Sequence, residues 1–117
     1  MACDADPDWS AHCGDLWRSH VLATAGRDIC DVLGPSPRSA GDWAAMIRRT
    51  DGRTMGDVIT FVHGNPVSPR LAKRGDLVRR GWAIGICQGE DAEFFGGEFV
   101  PMSQVEQAWS VAGWRHG

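Results

Sequence analysis

Hydrophobic residues in the first half of the chain recur with the spacing of amphipathic α-helices. Ser39 and Thr54 each stand three residues before an aspartate and ahead of an apolar stripe, which is the pattern of an N-cap. Gly26 follows another stripe as a helix stop. The pattern predicts three helices: one over residues 13–25, a second ending near residues 51–52 and a third ending at the run of residues 63–66. The first stripe consists of Cys13, Leu16, Trp17 and Val21.

From residue 76 onward the hydrophobic positions have the spacing of β-strands. Residues 76–80 and 82–87 predict two strands joined by a tight turn at Gly81. Residues 92–102 predict a hairpin that turns at a pair of glycines. The second half of the chain therefore supplies a small antiparallel sheet.

A last helix is predicted after the sheet. Ser103 and Glu106 form a capping-box pattern, which predicts a helix from residue 104 to about residue 111. N-terminal helices packed on a small antiparallel sheet, followed by a short C-terminal helix, make an α+β fold.

Length, composition and charge describe a single folded domain. The chain has 117 residues, of which 43% are hydrophobic and 23% are charged, as in globular proteins. The net charge of −3 leaves no positive excess to neutralise phosphates, so nucleic acid is not a predicted partner. No apolar run approaches the ~20 residues that cross a bilayer, so no membrane span is predicted.

The chain divides by composition into three parts. We predict an acidic lead at residues 1–8, a single domain at residues 9–112 and a C-terminal tail at residues 113–117. The acidic lead is the reverse of the positively charged start of a secretory signal. We therefore expect the chain to remain, at least at first, in the cytoplasm of the cell that makes it.

The four cysteines are widely spaced: Cys3, Cys13, Cys30 and Cys87. In a reducing cytoplasm we expect free thiols rather than disulfides. The lack of a short-spaced cysteine pair argues against a structural zinc site. A metal site built from His12, Cys13 and distant partners is the alternative to buried cysteines that act as small hydrophobic residues. No cofactor is predicted.

Six tryptophans and no tyrosine are a large aromatic content for one small domain. Some are expected to anchor the core, and protein interfaces are also enriched in tryptophan. Trp9 and Trp114 lie near the two ends of the chain, where a place in the core is unfavourable. They are therefore candidate contacts with a neighbouring subunit.

Two short motifs occur in the same order as in a known class of enzymes. Cys13 stands at the start of the first predicted helix, and the run Arg74-Gly75-Asp76-Leu77-Val78 leads into the strand pair. This order resembles the NlpC-type cysteine peptidases, which are papain-like cell-wall hydrolases. The resemblance implies a trimmed NlpC- or papain-like fold with Cys13 at the catalytic position. In that family the helix N-terminus lowers the thiol pKa, and a histidine on the facing strand serves as the base.

More closely, the chain resembles a family of small proteins encoded among the tail genes of phages and prophages. The resemblance covers about residues 9–110, and the matching segments are Cys13, Ala25-Gly26-Arg27-Asp28, Arg74-Gly75-Asp76, Gly85-Ile86-Cys87-Gln88-Gly89, Val100-Pro101-Met102 and Gln107-Ala108-Trp109. It implies a virion protein of the tail tip or baseplate that is present in the host cytoplasm during assembly. Its implied partners are other tail proteins, such as hub, distal tail or tail-fibre components.

The sequence departs from the NlpC pattern at the catalytic positions. His12 stands where that family has aspartate, and Ala83 stands where it has the catalytic histidine. The third, usually polar, position falls at Phe94 or Phe95. Alanine has no lone pair and phenylalanine has no group that orients an imidazole. Only the sulfur of the triad remains, as a vestigial site.

No other histidine is predicted to replace the missing base. His20 lies roughly 10.5 Å from Cys13 along the helix axis, and His12 is its direct neighbour, so neither faces the thiol. His63 falls in a predicted loop and His116 in a predicted frayed tail.

Charged residues outside the catalytic pattern are predicted to be structural. Asp76 is expected to accept hydrogen bonds from backbone amides in its turn. The pairs Arg48-Arg49 and Arg79-Arg80 are expected to be solvated ends of a helix and a strand.

Three functions are compatible with this sequence. The first is a non-enzymatic tail-tip component that docks to other proteins through an inactive peptidase-like scaffold. The alternative is an active cysteine endopeptidase that cuts peptidoglycan, with Cys13 as nucleophile and an unaligned histidine as base. The third is a tail-assembly factor that is absent from the finished virion. A shared fold does not by itself decide among them.

Overall fold

The computed structural model describes residues 13–116, and at Cys13 only the backbone. Cys3, Trp9, His12 and the acidic lead at residues 1–8 lie outside the described residues. The helices are α1 (Cys13–Ala25), α2 (Cys30–Leu33), α3 (Ala40–Arg49) and α4 (Met55–His63). The strands are β1 (Leu77–Arg80), β2 (Ala83–Cys87), β3 (Asp91–Phe94), β4 (Glu98–Pro101) and β5 (Gln107–Trp109). Two 3₁₀ turns lie at Pro69–Leu71 and Met102–Gln104.

The predicted helix ends follow local capping chemistry, and the structure confirms them. The side chain of Ser39 accepts a hydrogen bond from the amide of Asp42 over 3.0 Å at the start of α3. Thr54 and Asp57 form a complete capping box at the start of α4. Gly26 follows the last residue of α1 with a φ of 69°. The sequence does not predict α2, because four residues are too few to show a helical period.

The five strands form one antiparallel sheet in the order β4-β3-β2-β1-β5. Arg80 of β1 pairs with Ala83 of β2 on either side of the tight turn. Phe94 of β3 pairs with Glu98 of β4 across the two glycines of the second turn. Both predicted hairpins are therefore confirmed.

The predicted C-terminal helix is wrong, since Gln107–Trp109 form β5. Ala108 and Trp109 are both fully buried, with Trp109 in the main core and Ala108 in a cluster on the other face of the sheet. A strand directs consecutive side chains to opposite faces, and a helix does not. β5 pairs with β1 on one side, and on the other the amide of Val67 donates to the carbonyl of Ala108 over 2.8 Å.

The helices cover one face of the sheet and loops cover the other. Trp17 and Val21 of α1 pack with Leu77, Ile84 and Trp109 of the sheet in the main core. The opposite face carries a smaller cluster that is covered by residues outside the helices, among them Val67, Ala72, Met102 and Val105. The α+β class predicted from the sequence is confirmed.

Residues 113–116, which belong to the predicted C-terminal tail, lie along α4. The amide of Arg115 donates to the carbonyl of Val62 over 3.1 Å, and Nε2 of His116 donates to the carbonyl of Phe61 over 2.6 Å. These carbonyls belong to the last turn of α4, where a helix supplies no partner of its own. Trp114 is partly buried and packs against the main core without being one of its buried members. Its contact with a neighbouring subunit stays a prediction.

Candidate functional site

Cys13 is the first residue of α1, which packs against β2. Further along α1, Nε2 of His20 donates to the carbonyl of Gly75 over 2.7 Å. The amide of Gly75 in turn donates to the carbonyl of Cys87, at the end of β2, over 2.7 Å. The middle of α1 therefore lies near the Cys87 end of β2.

The side chain at position 83 faces away from the helical layer. Ala83 packs against the cluster on the second face of the sheet, whereas Ile84 belongs to the main core beneath the helices. Consecutive side chains of a strand point to opposite faces. The position aligned with a catalytic histidine therefore faces the side of the sheet opposite the helix that carries Cys13.

Phe94 and Phe95, the candidates for the third catalytic position, are packing residues. Phe94 is buried, and its ring lies so close to Gly85 that a Cβ added there would come within 2.8 Å of it. Phe95 is partly buried against the main core. Neither ring offers a hydrogen-bond acceptor to an imidazole.

His63 is a buried helix residue, so the prediction that it lies in a loop is wrong. It is the last residue of α4 and only 6% exposed. Its Nε2 accepts a hydrogen bond from the indole Nε1 of Trp17 over 3.0 Å, and its Nδ1 donates to the carbonyl of Gly113 over 2.7 Å. An indole N–H only donates and a carbonyl only accepts, so the ring is neutral with its hydrogen on Nδ1.

The environment of His63 suits a structural role. Burial lowers its pKa, which keeps the ring uncharged, while the hydrogen bond to Gly113 opposes that shift. Both ring nitrogens are already hydrogen bonded, so neither is available to a thiol. The sequence carried a signal for this placement, because the apolar stripe of α4 at Ile59 and Val62 continues to position 63.

A small cavity lies beside the first turn of α1. Its volume is about 20 Å³, which is room for about one water molecule. Its lining includes Gly14, Trp17, Ile29, Cys30, Leu33 and Trp43. The cavity is too small to admit a peptide side chain of a substrate.

Asp76 has the structural role predicted for it. The side chain is buried, and its Oδ2 accepts a hydrogen bond from the amide of Lys73 over 2.9 Å. Its Oδ1 accepts another from the amide of Val111 over 3.3 Å. The carboxylate therefore ties the turn before β1 to the segment that follows β5.

Arg79 is not the solvated strand end that the sequence predicts. Its side chain is 18% exposed. Nε donates to the side-chain oxygen of Gln107 over 2.8 Å, and Nη1 donates to Glu106 over 2.9 Å and to the carbonyl of Gly81 over 2.8 Å. The guanidinium joins the β1–β2 turn to β5, a strand that the sequence does not predict.

The two charged residues that follow Gly26, Arg27 and Asp28, both make structural contacts. Asp28 forms a bidentate ion pair with Arg18, in which Nε donates to Oδ1 over 2.9 Å and Nη2 donates to Oδ2 over 2.8 Å. Oδ1 of Asp28 also accepts a hydrogen bond from the amide of Cys30 over 3.0 Å. The Arg18 guanidinium, helped by that amide, lowers the pKa of Asp28 to about 2. The guanidinium of Arg27 lies 5.2 Å from the centre of the Trp114 ring, a cation–π contact.

Metal-ligand clusters, disulfides and membrane-spanning helices are further features that would each indicate a function. Within residues 13–116, no group of three histidine, cysteine, aspartate or glutamate side chains is placed to hold a metal ion. Cys30 is half-buried and Cys87 is buried, and both are free thiols. No described helix is long and apolar enough to span a membrane.

Comparison with known proteins identifies a family and nothing further. Residues 3–111 match a family model described as Domain of unknown function (DUF6950). No curated protein and no solved structure matches the chain. The function must therefore be inferred from the residues and their geometry.

Proposed function

This chain belongs to the DUF6950 family, and we propose that it is a structural component of a phage or prophage tail tip. On this proposal it acts by docking to other tail proteins, such as hub, distal tail or tail-fibre components. Its scaffold is a trimmed NlpC-like fold that lacks peptidase activity. The tail setting is supported by the resemblance of segments between residues 9 and 110 to tail-cluster proteins.

One observation carries the non-enzymatic part of the proposal: each histidine in the described part of the chain is engaged elsewhere. His20 bonds to Gly75, His63 to Trp17 and Gly113, and His116 to Phe61. The aligned base position holds an alanine that faces away from α1. A cysteine peptidase needs an imidazole within about 3 Å of its thiol.

The decisive experiment is to search purified particles for the chain by mass spectrometry and to compare the parent with a Cys13→Ala variant. We expect the chain in finished particles and equal infectivity for the two. Absence from the particles, with presence in infected cells, would instead support a tail-assembly factor. A loss of infectivity in Cys13→Ala particles of normal composition would contradict the non-enzymatic proposal.

A second function, an active peptidoglycan endopeptidase, is favoured by the position of Cys13 as the first residue of α1. Helix N-termini stabilise thiolates, which are the reactive form of cysteine. An activated thiol would be alkylated by iodoacetamide at about pH 6 much faster than an ordinary one. Half-buried Cys30 and buried Cys87 serve as internal references. Clearing of a cell-wall suspension that is lost in Cys13→Ala would establish this alternative.

A further inference from the structure

The segment between α4 and β1 presents an apolar residue among exposed cations. Leu71 is 74% exposed, the largest value among the exposed large hydrophobic residues of the described chain. Arg70, Lys73 and Arg74 are also exposed. We call these four residues, Arg70, Leu71, Lys73 and Arg74, the basic loop.

Hydrogen bonds donated by two of its backbone amides hold the basic loop in place. The amide of Leu71 donates to the carbonyl of Ser68 over 2.9 Å, within the 3₁₀ turn. The amide of Lys73 donates to the buried carboxylate of Asp76 over 2.9 Å. Gly75 is held between β2 and α1, as described above. A surface that is already ordered loses little conformational entropy on binding.

The three cations are not engaged in ion pairs within the described part of the chain. Among residues 13–116, none of Arg70, Lys73 and Arg74 forms a salt bridge. This concentration of positive charge stands out in a chain whose net charge is −3. Uncompensated charge on a protein surface attracts a partner of opposite sign.

We infer that the basic loop is a docking surface for a neighbouring protein that presents carboxylates around a small apolar pocket. Leu71 fills the pocket, and the three cations pair with the carboxylates. This inference rests on the proposed function, because it names the surface through which the docking occurs. A protein partner is favoured over an anionic membrane, because two exposed carboxylates lie nearby. The Arg74 guanidinium lies beside Gly89, which is followed by Glu90 in the β2–β3 turn and by Asp91 at the start of β3. A uniformly negative bilayer would repel these two carboxylates, whereas a protein surface can carry both the negative charges that pair with the basic loop and positive charges that face Glu90 and Asp91.

Lys73 is the only lysine in the chain, so any zero-length cross-link that uses a lysine of this chain is assigned to one position. A carbodiimide joins an amine directly to a carboxylate without a spacer. Applied to purified particles that contain the chain, it is expected to link Lys73 to an aspartate or glutamate of another tail protein. Particles that contain the chain but yield no such link overturn the inference and leave the proposed function standing. Particles that lack the chain overturn the proposed function itself.

Substitutions test the same surface without altering the core. We expect Leu71→Asp and Lys73→Glu to lower the amount of chain in particles about tenfold, and Arg48→Glu, at an exposed cation on α3, to leave it unchanged. Unchanged melting temperatures would show that the variants fold. Incorporation of Leu71→Asp at the parental level overturns the inference. A membrane-binding result would also overturn the inference. In that case the parent would co-sediment with phosphatidylcholine vesicles that contain about 30% phosphatidylglycerol, and Leu71→Asp would not.

Discussion

Trp17 and His63, which are 46 positions apart in sequence, share a buried hydrogen bond of 3.0 Å. The bond joins α1 to α4, and the second ring nitrogen of His63 extends the connection to Gly113. The ring of Trp114 packs against the same imidazole in a T-shaped contact, with the two ring centres 6.0 Å apart. A single neutral imidazole therefore links three segments of the fold.

The first prediction is that stability falls as this imidazole becomes protonated. Burial lowers the pKa of His63, so the unfolded chain binds the proton more readily than the folded one. The contribution is fully present above the ordinary histidine pKa of about 6.5 and is lost as the pH falls from there towards the lower folded value. A second proton on Nε2 would also face the indole N–H of Trp17. Urea unfolding between about pH 7.5 and pH 5 measures the effect.

A His63→Phe variant provides the control, because it removes the titrating group and keeps a ring. At neutral pH it leaves the indole of Trp17 and the carbonyl of Gly113 without partners, which costs about 1–3 kcal/mol. We expect its unfolding free energy to depend less on pH in the same range. An equal pH dependence in parent and variant would contradict the assignment, since the substitution removes His63 and leaves every other titratable group in place.

A second prediction concerns two glycines that occupy equivalent places in two helices. Gly56 is the second residue of α4, and a Cβ there would collide with the side-chain oxygen of Gln107 that accepts from Arg79. Gly41 is the second residue of α3, and a Cβ there would meet nothing closer than the Ser39 hydroxyl at 3.7 Å.

We expect Gly56→Ala to lower the unfolding free energy by about 1–3 kcal/mol, because Gln107 and Arg79 must separate. Gly41→Ala should raise it by about 0.5–1 kcal/mol, since alanine favours a helix. Denaturant titration of the two variants gives the comparison. Equal effects would show that position 56 is not in tight contact with β5.

The parts of the fold that the sequence predicts are those controlled by nearby residues. Ser39 and Thr54 cap helices through amides three positions away, so their pattern is visible in a short window. The turn at Gly81 likewise depends on a residue that adopts a positive φ of 61°. Local chemistry of this kind does not require knowledge of the tertiary structure.

The incorrect predictions share a dependence on distant partners. The capping-box pattern at Ser103 is local, yet β5 forms because Trp109 is buried under the helices and Ala108 bonds to Val67. His63 is fixed by Trp17 and Gly113, neither of which is near it in sequence. For the candidate site, the sequence predicts the absence of an aligned base but not the direction in which position 83 points.

A third prediction tests the buried carboxylate of Asp76. Its two oxygens accept from the amides of Lys73 and Val111. In Asp76→Asn one oxygen becomes an amide NH₂, which faces a backbone donor and leaves it unpaired. We expect a loss of about 1–3 kcal/mol in unfolding free energy, against a change within about 0.5 kcal/mol for the exposed Asp91→Asn. Similar losses in both variants would contradict the structural role.

The last prediction is that a histidine introduced at the aligned base position, Ala83, does not restore catalysis. Ala83 is the first residue of β2, the strand against which α1 packs, but its side chain packs on the opposite face of the sheet. A histidine placed there points away from the helical layer that includes α1, and we expect it not to deprotonate Cys13. We therefore expect Ala83→His to be as inactive on purified cell walls as the parent, and its Cys13 to react with iodoacetamide at the parental rate at about pH 6. The double variant Ala83→His, Cys13→Ala sets the background, and thermal melting verifies that the half-buried position accepts the larger ring. Cell-wall clearing by Ala83→His that disappears in the double variant would show that positions 13 and 83 do meet, and that one substitution separates this scaffold from an enzyme.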